Sequence, residues 1–137
     1  DLRQRSLPLL KYTHSHSDDI TDLQYHPSRP NILLSGSTDG LLNIYNTTFQ
    51  DEEDALCHTI NHGSSIHRCD FLSDLEIYAL SHDEKFSTYE IVTTLEGDNK
   101  KGQEIHFGDV RKLLGGEYVA KIVRRPDGCA VMGIGTH

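Results

Sequence analysis

Apolar and polar residues alternate along this chain in short runs, each closed by a cluster of turn formers, a period-two pattern that reads as strands and not as helices. The first four runs predict strands at 19–25, 31–37, 41–46 and 55–60. Thr38-Asp39-Gly40 suits a tight hairpin between the second and third of these, since Asp and Gly tolerate positive φ. Four more strands are expected at 64–71, 76–81, 85–91 and 103–107, with the polar loop Gly97–Gly102 before the last. EYVAKIVRRPDG and CAVMGIGTH then begin a third set, the final one running to His137.

The sets are copies of one another. LLSGSTDGLLNIYN (33–46) superimposes on IYALSHDEKFSTYE (77–90) with an offset of 44, placing Ser37 on Ser81, Asp39 on Asp83, Leu42 on Phe86 and Tyr45 on Tyr89. Upstream, His16, Ile20, Leu23 and Tyr25 fall on His62, Ile66, Cys69 and Phe71 with an offset of 46. The second copy is therefore two residues shorter where HPSRPN faces LSDLE. One four-stranded sheet cannot bury both of its faces, whereas sheets stacked radially share a continuous core and protect their edges. The expected architecture is all-β, one β-propeller domain in segment. Residues 1–15 supply an outer strand of a preceding blade, 16–60 and 61–107 two blades, and 108–137 the start of the next. Asp1, Asn46 and Glu90 are then equivalent strand ends, and a chain of roughly twice this length or more is expected for a closed ring.

A repeat of this length, with a His opening each copy and an Asp in the second hairpin turn, resembles the WD40 repeat, whose period is about 40 to 45 residues. The resemblance implies a buried tetrad of His, Ser or Thr, Asp and Trp in each blade. Carried over, it gives His16, Ser35, Asp39 and Tyr45, then His62, Ala79, Asp83 and Tyr89, with Asp1 as the Asp of a preceding Trp-Asp pair. The chain departs from the pattern. It has no Trp, Ser15 and Asn61 replace the usual Gly before the His, and Ala79 has no hydroxyl. The second copy is therefore expected to keep a His62 to Asp83 contact alone. The resemblance also implies a non-enzymatic scaffold that binds proteins or peptides through a loop face and is monomeric as a complete propeller.

Composition narrows the partners. The 137 residues carry 13 Lys plus Arg against 21 Asp plus Glu, and a net charge of -8 repels phosphate backbones and anionic lipid, so neither nucleic acid nor membrane is expected. No apolar run reaches the roughly 20 residues of a membrane span. Cys57, Cys69 and Cys129 are an odd number without Cys-x-x-Cys spacing, which fits reduced thiols in the cytoplasm or nucleus.

The chemical motifs point away from catalysis. No Gly-x-Ser-x-Gly frame or phosphate loop is present, and no cofactor is expected. His14, His16 and Asp18 have the His-x-His-x-Asp spacing of a metal-dependent hydrolase, the alternative reading. Against it, His62, the repeat counterpart of His16, has no second His beside it. Asp51–Asp54, DEED, reads as a solvated loop. What remains is a surface. If Ile20 and Ile66 point into the packing between blades, then Asp19, Thr21, Ser65 and His67 face the channel mouth, joined by Thr38 and His82. With Asp18, Asp19 makes that mouth a candidate reader of basic peptides.

Overall fold

The structure, a computed structural model, describes residues 8–92 and 102–136. Its strands are β1 (Ile20–Tyr25), β2 (Ile32–Ser37), β3 (Leu41–Asn46), β4 (Leu56–Asn61), β5 (Ile66–Phe71), β6 (Glu76–Ser81), β7 (Lys85–Glu90), β8 (Glu104–Asp109), β9 (Tyr118–Arg124) and β10 (Ala130–Gly135). They form antiparallel sheets in sequence order, β1 to β4, β5 to β8, and the pair β9 and β10. Two short helices, α1 (Glu52–Ala55) and α2 (Val110–Leu114), flank the outer strands. The DEED stretch is thus not a loop. Asp51 accepts the Glu53 N–H and caps α1, as Asp109 caps α2 by accepting from Arg111, because a short carboxylate satisfies a free N–H of the first turn. Residues 8–15 form no strand, and Asp1, His137 and most of the Gly97–Gly102 loop lie outside the described residues.

The first two sheets stack face to face. Leu34, Leu42 and Ile44 of the first interlock with Ile66, Cys69, Phe71, Ile77, Ala79 and Tyr89 of the second in one buried cluster. Polar bonds cross the same seam: Cys69 N–H donates to Asp22 Oδ2 at 3.0 Å, and Thr21 Oγ1 donates to the Ile66 carbonyl at 2.7 Å. His26, buried between the sheets, accepts from the Ser28 and Arg29 N–H groups at Nδ1 and donates through Nε2 to the Asp74 carbonyl at 3.0 Å. That bonding fixes its neutral tautomer. A second cluster, Tyr78, Leu80, Val110, Val119 and Ile122, joins the second sheet to the third.

Repetition extends to irregularities. β1 and β5 each carry a bulge after their first residue, at Thr21 and His67, and β9 carries one at Ala120. A bulge inserts one residue and re-aims the side chains beside it. Ile66 is fully buried in the seam, but its counterpart Ile20 is 51% exposed, with Leu23 at 54% and Tyr25 at 63%. Among the described residues no sheet packs on the side of β1 that carries Ile20, Leu23 and Tyr25, whereas Thr21 and Asp22 of the same strand meet the second sheet.

Candidate functional site

At one end of the first sheet a polar core holds the segment that leads into β1. His16 Nδ1 donates to Asp39 Oδ2 at 3.0 Å, both side chains being only 5% exposed. A carboxylate accepts only, so Nε2 is left as an acceptor, and Ser35 Oγ donates to it at 2.7 Å while the Asn43 amide stands 3.2 Å away. Asp39 also accepts the Ser17 and Leu41 N–H groups. Against the upward push of burial, these bonds and His16 hold its carboxyl below the usual carboxylate range.

Tyr45 is not part of this network. Its ring stacks on Tyr12, centroids 5.2 Å apart, and the place beside His16 belongs to Asn43, which also donates to the Ser15 carbonyl and accepts from Thr59 Oγ1 at 2.7 Å. The cause is register. Ser35, Asn43 and Thr59 form one cross-strand row on the face that His16 caps, and Tyr45 lies in the next row, with Leu33 and Leu56.

The second sheet solves the same position differently. The expected His62 to Asp83 contact is corrected: His62 Nδ1 lies 2.8 Å from Tyr89 Oη, while Asp83 pairs with Lys85 at 2.7 Å and accepts from Ser81 Oγ. Ala79 offers His62 no hydroxyl, so the imidazole turns to the phenol. Burial pulls the His62 pKa down, and its Nε2 is buried without a hydrogen-bond partner.

The same end carries the six mouth residues. In the second copy three converge: Ser65 Oγ and His82 Nδ1 are 3.1 Å apart, and the His67 and His82 rings are 4.9 Å apart. Burial, followed by the neighbouring His82 and Arg68 charges, lowers the His67 pKa. In the first copy Thr38 N–H donates to the Asp19 carbonyl at 2.9 Å, as His82 N–H does to Ser65. Thr21 stands apart, its hydroxyl spent on the seam to Ile66. Nothing in strand alternation signals that diversion, because the bulge breaks the period-two rule.

The His14, His16 and Asp18 alternative gains no support. Both His16 ring nitrogens are engaged, and the stretch beside it binds an anion group instead of offering ligands to a cation. Thr13, His14 and Ser15 direct successive N–H groups at the Glu52 carboxylate, at 2.6, 3.0 and 2.8 Å, and Ser15 Oγ donates as well. Burial raises the Glu52 pKa, but these four donors outweigh it and bring it to about 2. A depressed carboxyl pKa stabilises the fold above the unfolded value and loses that contribution as pH falls through the folded one. We expect acid titration to release the 12–16 strap between about pH 4.5 and pH 2, and Glu52→Gln to flatten the dependence of stability on pH over that window. Denaturant midpoints of parent and variant at several pH values check it. Parallel curves would refute the clamp.

No family model matches the chain. A WD repeat-containing protein of Saccharomyces cerevisiae is 45% identical over 122 residues, 89% of this chain and 31% of that protein. The WD repeat-containing protein 89 homolog of Dictyostelium discoideum is 34% identical over 115 residues, 82% of this chain and 30% of that protein. The stretches HSDDITDLQYHP, SGSTDGLLNIYN, HTINHGSSIH and IYALSHDEKFSTYE resemble WD repeat-containing protein 89 in particular. The crystal structure of the WD40 β-propeller domain of Doa1 matches with a TM-score of 0.55 at 18% identity, over 86% of this chain and 34% of that one. The chain spans about a third of the length of these relatives. Repeat, stacked four-stranded sheets and relatives agree: the chain's homologues are WD-repeat proteins, and it folds as blades of a WD40-type β-propeller.

Proposed function

We propose that this chain is a non-enzymatic interaction scaffold that binds a partner protein or peptide at the mouth formed by Asp19, Thr38, Ser65, His67 and His82. The observation that carries the reading is the contrast within one end of the blades. Beneath the mouth, His16, Ser35, Asp39 and Asn43 are buried and bonded to one another, which holds the loops rigid. Above it, the His67 and His82 rings and the Asp19 carboxylate remain on the surface, the last without a partner among the described residues. Rigid loops that present unspent polar groups lower the ordering cost of binding. Beside Asp18, Asp19 suits a Lys or Arg of the partner, and such binding weakens as salt rises.

Affinity capture with the full chain, compared with an Asp19→Lys plus His67→Glu variant, tests this reading. The variant is expected to keep its melting temperature and lose the partners that the parent retains. An unchanged set of captured proteins would overturn the mouth as the binding face. A stoichiometric zinc lost on His14→Ala would instead favour the hydrolase.

A further inference from the structure

A second surface lies at the opposite end of the same two blades, where the loop between β1 and β2 faces the loop between β5 and β6. There a half-enclosed cleft of about 460 Å³ opens between the sheets, with Ile32, Ile44 and Ile91 among its lining residues. His26 and Asp74, which also line it, are already engaged: His26 donates to the Asp74 carbonyl, and Ser28 Oγ donates to Asp74 Oδ2 at 2.8 Å. Arg29 and His58 are not. Both line the cleft, and neither the guanidinium nor the imidazole has a hydrogen-bond or ion-pair partner among the described residues.

A half-enclosed, mainly apolar cleft with a few unspent polar groups has the usual form of a ligand site. Its chemistry is selective. The isoleucines accept an aliphatic side chain, and the planar Arg29 fork matches a carboxylate through two N–H donors, whereas it repels a Lys or Arg at the same place. In a chain of net charge -8, an unpaired Arg beside such a cleft is a local exception to the prevailing field. We propose that this cleft docks a segment of a partner protein in which an aliphatic residue is followed by an acidic one, the first on the isoleucines and the second on Arg29. This surface is separate from the mouth and does not depend on it.

Cys57 also lines the cleft, and its thiol reports occupancy. In the full chain carrying Cys129→Ser, with Cys69 buried, alkylation is followed at Cys57 in the presence of N-acetyl-Leu-Asp-amide or N-acetyl-Leu-Lys-amide. The acidic probe is expected to slow alkylation severalfold and the basic probe to leave it unchanged. Arg29→Glu should abolish the protection by Leu-Asp, while Asp19→Lys plus His67→Glu leaves it intact. Equal protection by both probes, or none by Leu-Asp, would overturn the proposal. So would protection without peptide that grows with protein concentration, since a second copy would then be the occupant. The comparison of the two probes on the parent chain stands whether or not the Arg29 variant folds.

Discussion

Gly36→Val is expected to destabilise the stacked blades by about 1 to 3 kcal/mol or more, the cost of forcing extra carbon into a filled core. Gly36 sits inside β2, where a Cβ would meet Ile66 Cγ2 at 2.8 Å and Cys69 Sγ at 2.9 Å. Neither neighbour can retreat, because Ile66 and Cys69 are fully buried against Leu34, Leu42 and Ile44. The glycine is there for close approach of two sheets and not for an unusual backbone angle. Gly133→Ala in β10 is the control, since its Cβ would meet nothing nearer than the Lys121 carbonyl at 3.6 Å. Denaturant midpoints of the two variants against the parent decide it. A Gly36→Val midpoint equal to that of the control would mean that the sheets do not stack as described.

Asp39→Ala should cost on the order of 1 to 3 kcal/mol, because it removes three bonds at once and leaves a buried His16 Nδ1 donor without an acceptor. Ser35→Ala should cost less, since the second sheet already tolerates Ala79 at the matching position and Asn43 still approaches His16 Nε2. The pH dependence gives a second check. With its folded pKa held down, Asp39 stabilises above the unfolded carboxylate value and ceases to as pH falls through the folded one, so the gap between parent and Asp39→Ala narrows in acid. Denaturation at neutral and acid pH measures it. A gap that is constant with pH would show that the carboxylate is not the group that matters.

Much of this was legible in the chain because repetition is a sequence property. Alternation and turn residues placed the strands, most ends agreeing within two residues, and the offsets of 44 and 46 aligned the copies. His16, Ser35 and Asp39 could be brought together on paper since each occupies a fixed place in the repeat. Asn43 could not. A polar residue two before the aromatic on β3 has no signal of its own, and its role follows from a cross-strand row that exists only after pairing. The Glu52 clamp was hidden for another reason: its partners are mostly backbone N–H groups, and every residue but proline carries one.

The sequence by itself determined the all-β class, the repeat, the strand pairings implied by short turns, and the residues that crowd one end of the blades. These depend on local periodicity, which the chain writes directly. Only the tertiary structure decided which partner each buried polar group takes: Asn43 in place of Tyr45 beside His16, Tyr89 in place of Asp83 beside His62, and Thr21 on the seam instead of at the mouth. Those choices turn on which residues share a cross-strand row and on bulges that shift the facing of a side chain, and both exist only once strands have paired and one sheet has packed against another.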